Sequence, residues 1–423
     1  MRRGSGSCGV NRGGCELFQT GGTVAASSGS SADYPLKGLP HVRNPVEAPP
    51  SPLKFDPGFE QPELDEAATA DALVTTFRQI SETTYADSGT PLRGVHAKGH
   101  AILKAELTVA DGLPPVLAQG LFARPGRYPA IIRISTIPGD ILHDSIAVPR
   151  GFALKVAGVE GERLPGSEDE REQDFVLAAG KSFVAPDGRS FLKNLQFLAA
   201  TTDRPQVLKK VLSATLRKAE AVVEAFGGES GTLKRLGGQP LTNPLAEAYF
   251  SQAPILYGDY MAKIGVFPVS PELIAMKDEV LDASGRPDLL REEMSRFFTA
   301  RSAAWELRVQ LCTDLASMPI EDSSIPWPEE ESPYIAVARL IAPAQPSWDE
   351  AHKDGLDAQL AFSPWRGLAA HRPLGSVMRL RRPAYRMSAR FREERRAGWR
   401  MAPAAWGDTV ADANRQPILV KED

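Results

Sequence analysis

Apolar positions along this chain switch between helical and alternating spacing, and the switches mark out its elements. From Glu63 to Glu82, Leu64, Ala67, Ala68, Leu73, Val74 and Phe77 recur every three to four residues, which predicts a helix. Runs rich in branched residues follow: Ile102 to Val109, Tyr128 to Ile134, and Gly151 to Val156, with a shorter one at Asp174 to Leu177. Helical spacing returns from Pro205 to Ala225 and from Pro287 to Ala304, where Pro287 suits a first turn. Alternation resumes in Trp305 to Leu311 and Tyr334 to Ile341. Strands, a helical excursion and further strands predict an α+β fold on a mostly antiparallel sheet, closed as a barrel to remove its edges.

The first 33 residues, rich in Gly and Ser and without periodicity, read as a disordered tail. Residues 34–62, where Pro recurs every few positions, read as an extended arm that could embrace a neighbouring subunit of a homo-oligomer, and residues 63–423 as one folded domain. A net charge of -4 over 423 residues calls for neither nucleic acid nor an anionic membrane as partner. Three cysteines make no disulfide framework; Cys8 and Cys15 fall in the tail, and Cys312, inside an apolar run, reads as a buried, inert thiol. Nothing in the run after Met1-Arg2-Arg3 has the apolar length of a signal, and no segment approaches the ~20 residues of a membrane span. The expectation is a soluble, cytoplasmic protein. The glycines of Gly227-Gly228-Glu229-Ser230-Gly231 lack a preceding strand and a Lys-Ser/Thr pair, which speaks against a phosphate loop.

Three places could carry chemistry. His96 lies three residues after Arg93 and just before a strand; a neutral imidazole in an apolar cavity can take a proton from a bound peroxide and return it to the departing oxygen. Its i, i+4 partner His100 offers the spacing of a zinc pair, but the Glu of a zinc-protease helix is missing and Gly99 intervenes. Arg133 and Ser135 end a strand, with Asp140 and Asp144 following. Arg133 suits a carboxylate clamp and Ser135 a hydroxyl near His96, or the segment is a turn with solvated charges. Arg381, Tyr385, Ser388 and Arg392, at offsets of zero, four, seven and eleven, share one stripe of a helix that Pro383 would open. A free phenol titrates near ~10, so a cation and a metal bond are what would hold one ionised at neutral pH. The other reading of Arg379 to Arg400 is a basic surface helix.

These segments resemble the catalases, and more closely the shorter bacterial catalase-like haem proteins. The resemblance rests on Arg93-Gly94-Val95-His96-Ala97-Lys98-Gly99, on Arg133-Ile134-Ser135-Thr136 with Pro149 to Lys155, on Asp174 to Leu177, and on the Arg381, Tyr385, Arg392 spacing. Phe362-Ser363-Pro364-Trp365 and His371-Arg372-Pro373-Leu374-Gly375 are similar to the loop before the last helix in the shorter relatives. It covers roughly residues 60–395. It implies an antiparallel barrel with helical additions and without the C-terminal flavodoxin-like domain of larger catalases, only 38 residues following Tyr385. It implies a haem lying against that barrel: His96 as distal acid/base beside Ser135, Tyr385 as axial iron ligand, Arg381 on its oxygen, and Arg93, Arg133 and Arg392 on the propionates.

One departure matters. The family's distal Asn falls where this chain has Ala178 and Ala179, and a methyl group cannot donate the hydrogen bond that helps bind peroxide. The expected activity is therefore peroxidase-like, on hydrogen peroxide or an organic hydroperoxide with a small reductant. The alternatives are rearrangement of a lipid hydroperoxide, a haem-binding or sensing protein without turnover, and a barrel that binds another apolar ligand.

Overall fold

The structure, a computed structural model, describes residues 51–199, 240–348 and 356–396. The predicted tail, the arm up to residue 50, the helix at Pro205 to Ala225, the glycine run at 227–231 and everything after residue 396 lie outside the described residues.

Nine antiparallel strands form among the described residues: β1 (Lys98–Val109), β2 (Gly126–Thr136), β3 (Arg150–Ala157), β4 (Glu172–Ala179), β5 (Tyr249–Phe250), β6 (Ile255–Tyr257), β7 (Tyr260–Pro268), β8 (Ala303–Leu311) and β9 (Ile335–Ala342). β1 to β4 pair in sequence, β9 returns to β1, and β8 and β7 continue the order. The short β5 pairs with both β4 and β7, which closes a ring of eight strands and leaves β6 as a hairpin partner of β7. The fold is thus α+β on a closed antiparallel barrel, as the alternating runs predict. β7 was not legible in advance, because Lys263 and Gly265 interrupt its apolar run.

Alternation sorts the side chains. Leu103, Ile132, Leu154, Phe175, Ile264, Leu307 and Leu340 point inward into one buried cluster centred on Trp305, whose Nε1 donates to the Leu245 carbonyl at 3.3 Å. Burying each such aliphatic side chain stabilises the fold by roughly 1.5–3 kcal/mol. Their neighbours on β1 to β4 face outward, and there the helices pack.

The four longer helices among the described residues are α1 (Glu66–Ser88), α2 (Gly188–Ala199), α3 (Leu289–Phe298) and α4 (Ser376–Glu394). α1 begins later and runs further than its pattern predicts: Leu64 precedes the cap residue Asp65 and is fully exposed. α3 starts after Pro287, because Asp144 from the β2–β3 loop accepts the Leu290 amide at 2.8 Å and so caps the helix from outside. Asp144 is thereby buried and paired with Lys98 at 2.7 Å, not solvated. α4 starts at Ser376, so Arg381 lies within the helix and Pro383 sits inside it instead of in the first turn. The Arg379 carbonyl accordingly has no i+4 amide to accept from.

The described end of the Pro-rich arm lies on its own chain. Leu53 and Phe55 donate backbone bonds to the carbonyls of Cys312 and Asp259, and with Phe59 they cover Met261, Cys312 and Met318. Cys312 is buried as expected, and burial pushes its thiol up to about 12. Among the described residues no helix is long and apolar enough to cross a membrane.

Candidate functional site

The outward rows of β1 to β4 form a floor of small and polar residues. Register places Gly99, Ser135, Gly151, Ala178 and Phe250 in one row across five strands, and Ile102, Arg133, Ala153 and Val176 in the next. Directly opposed residues point to the same face, so these side chains look outward together. Over this face α1, α2 and α4 meet in a cluster of Leu73, Phe77, Ile80, Leu195, Leu380 and Ala384, with Val95, Phe191, Leu192 and Met387 half-buried around it.

His96 enters from the segment before β1. Its backbone takes φ 55, in the left-handed region that side chains rarely adopt, at a cost on the order of 1 kcal/mol. The flanking chain holds it there: the Ala97 amide donates to the Pro138 carbonyl at 3.0 Å, and Gly139 lies so near that a Cβ would come within 2.3 Å of the Gly94 carbonyl oxygen. The His96 ring rests on Gly151, where a Cβ would stand 2.6 Å from Cε1, and its Nδ1 lies 3.4 Å from Ser135 Oγ. Burial, then the charges of Arg133, Arg381 and Arg93, lower its pKa to about 3, so the imidazole is neutral at ordinary pH. His100 lies within β1, bonded to Thr136 Oγ1 at 3.0 Å, so the two histidines share no helix face on which to bind zinc.

On α4, Arg381 Nη2 donates to Tyr385 Oη at 2.7 Å, and the same guanidinium lies over the Phe183 ring at 5.5 Å. Tyr385 is half-buried. The two sequence-distant segments meet: Val95, beside His96, and Ala384, beside Tyr385, belong to the same apolar cluster.

Arg93, Arg133 and Arg392 converge on a residue that spacing gave no reason to single out, Asp357. Arg133 Nε and Arg93 Nη1 donate to its Oδ1 at 2.6 and 3.0 Å. Arg93 and Arg392 both donate to the Leu360 carbonyl, and Arg392 also to that of Ala358. Burial alone would raise the Asp357 pKa, but Arg133 and Arg93 hold it well below the usual carboxylate range. Burial, with Arg133 beside it, lowers Arg392 to about 10 even though Asp357 opposes the shift. The Arg392 Nε is buried without a hydrogen-bond partner among the described residues. Ala178 stands across from Gly151 and so next to the His96 row, carrying a methyl there.

Other motifs prove structural. His371 accepts the Leu121 amide at 2.9 Å amid Phe122, Phe175 and Tyr257, and burial lowers it to about 4. Trp365 Nε1 donates to the Met378 carbonyl at 2.9 Å, tying the Phe362 to Trp365 loop to α4.

Catalases are among the solved structures similar to this chain. A fungal catalase is similar over 84% of this chain and 68% of its own, with 17% identity and a TM-score of 0.52. Catalase A from Saccharomyces cerevisiae is similar over 82% of this chain and 69% of its own, with 16% identity and a TM-score of 0.51. No protein-family model and no curated protein matches the sequence. At these identities the likeness is one of fold: the chain has the barrel-and-helix architecture found in catalases.

Proposed function

We propose that this chain binds haem against the outer face of the barrel and uses peroxide, with organic hydroperoxides preferred to hydrogen peroxide. One arrangement carries the reading: Arg381 donates to Tyr385 Oη on α4, and Ala384 beside Tyr385 packs in the same apolar cluster as Val95 beside His96. The residues present fit the group. Among the described residues Arg93 and Arg133 share one carboxylate and Arg392 lies beside them on backbone carbonyls, three cations to one acid, which suits two propionates, and the buried Arg392 Nε has no partner among those residues.

Bound there, haem supplies an iron centre able to take up the oxidising equivalents of a peroxide. Tyr385 would ligate the iron through Oη, with the Arg381 bond favouring the phenolate. Arg93, Arg133 and Arg392 would hold the propionates. With Nδ1 donating to Ser135 Oγ, His96 keeps a free lone pair at Nε2, where it takes the hydroperoxide proton and passes it to the departing oxygen. Neutrality at ordinary pH makes it a base throughout that range.

Ala178 supports the organic substrate. A methyl opposite Gly151 offers no hydrogen-bond donor to a small peroxide and would present an apolar surface to an alkyl chain. Product analysis with fatty-acid hydroperoxides separates reduction from rearrangement. Purified protein, expressed with iron and haem precursor, should show a haem absorbance band that responds to peroxide; Tyr385→Phe should shift the iron spectrum and cut turnover by about a hundredfold or more. An unchanged spectrum in that variant would reject the ligand assignment.

A further inference from the structure

Among the described residues several buried or half-buried cations elsewhere meet acid directly, while the buried Lys263 donates to the Ile325 carbonyl over the Trp327 ring. Lys98 meets Asp144 and Asp288; Lys155 and Arg366 meet Asp174, Glu170 and Glu172; Arg379 and Arg372 meet Glu60, Glu66 and Glu321. Among the described residues the Asp357 cluster is the reverse, with Arg93 and Arg133 bonded to one carboxylate and Arg392 beside them on the Leu360 carbonyl. Asp357 Oδ1 takes Arg133 Nε and Arg93 Nη1, while Oδ2 takes only a long 3.4 Å bond from Arg133 Nη2. A ligand carboxylate arriving here must therefore share donors with Asp357.

We propose that Asp357 is a built-in counter-ion that sets the charge of this site, tuning it for a ligand with two carboxylates on an apolar body and moderating the grip of the three arginines. The proposal rests on the haem reading above and adds the residue that governs its strength and charge preference. Two carboxylates bring the cluster to neutrality, whereas an esterified ligand leaves two buried cations uncompensated. Half-buried Val95, Phe191 and Leu192 and the Gly151 and Ala178 row supply the apolar surroundings. Removing the Asp357 charge frees two guanidinium donors and strengthens the local positive field, so a dianion binds more tightly to a chain that is less stable without it.

The test uses protein from haem-deficient cells, titrated with haem and with its dimethyl ester and followed by absorbance and thermal melting. Asp357→Asn should bind haem about tenfold more tightly and the diester unchanged. Before haem is added it should melt at a lower temperature than wild type, a loss that succinate reverses. Arg392→Gln, which keeps the Asp357 bonds to Arg93 and Arg133, should shrink the preference for haem over the diester by about tenfold. Weaker haem binding by Asp357→Asn, or an equal change for haem and diester, would overturn the proposal. Should that variant not fold, an unchanged preference in Arg392→Gln overturns it alone. If wild type takes up neither porphyrin while succinate still rescues Asp357→Asn, the counter-ion role stands and the haem reading falls. If wild type takes up haem and Asp357→Asn behaves identically, the haem reading stands and the counter-ion role falls.

Discussion

Lys155 with Asp174 and Arg133 with Asp357 lie on the same outer face of the barrel, yet they are built for different ends. Lys155 is directed at Asp174 at 2.6 Å, and Asp174 also accepts the Ser363 amide at 2.9 Å, so the carboxylate is enclosed and saturated. Around Asp357 three guanidiniums crowd one carboxylate, a buried nitrogen stays unbonded, and a neutral imidazole stands close by. A saturated, matched pair fixes a loop; an unmatched one holds interaction in reserve for something that arrives.

The largest effect should come from breaking the scaffold pair. Lys155→Ala leaves Asp174 buried against half of its partners and should lose about 3–5 kcal/mol of stability in urea denaturation. A loss under ~1 kcal/mol would place Lys155 outside the structural class. His96→Ala should leave folding and haem uptake intact while lowering hydroperoxide turnover by about a hundredfold, toward the lower end of general acid–base effects. The pH response sharpens this. Between about 3 and the ordinary imidazole value the unfolded chain binds a proton that folded His96 refuses. Stability from this group is therefore fully present above that ordinary value and is lost as pH falls toward 3, and wild type should lose more than His96→Ala over that span. Turnover should stay level through pH 6.5; a limb there would contradict the half-buried, neutral imidazole.

Gly151→Ala should cost about 1–3 kcal/mol, because its new Cβ would overlap the His96 ring, and turnover should fall with it as the ring is displaced. The smallest effect is expected at Arg78, paired with Glu82 on the exposed side of α1 at 2.9 Å: Arg78→Ala should change stability by no more than ~0.5 kcal/mol.

What could be read beforehand followed from local order. β1, β2, β3, β8 and β9 declare themselves as branched or alternating runs, and the Arg381, Tyr385, Arg392 stripe as a helical period. Asp357 was silent because its meaning comes from Arg133, 224 residues away. Gly151 was read as an ordinary strand residue, since what matters there is an atom it lacks. Pro383 misplaced the start of α4 because a first-turn preference is a local statistic, whereas Leu380 and Ala384 packing on Leu73 and Phe77 carries the helix through the proline.

The order in which the ring closes also governs when the molecule becomes competent. β1 is made early but finds its second neighbour only when Ile341 reaches Glu106, and α4 is delivered later still. Until then the nascent four-strand sheet presents an unpaired edge, and closing so long a loop is slow. Arg133 and Arg392 can therefore come together only once α4 has been made, so occupancy of the arginine cluster would act as a timestamp of ring closure and α4 docking, and chains lacking α4 should stay unloaded.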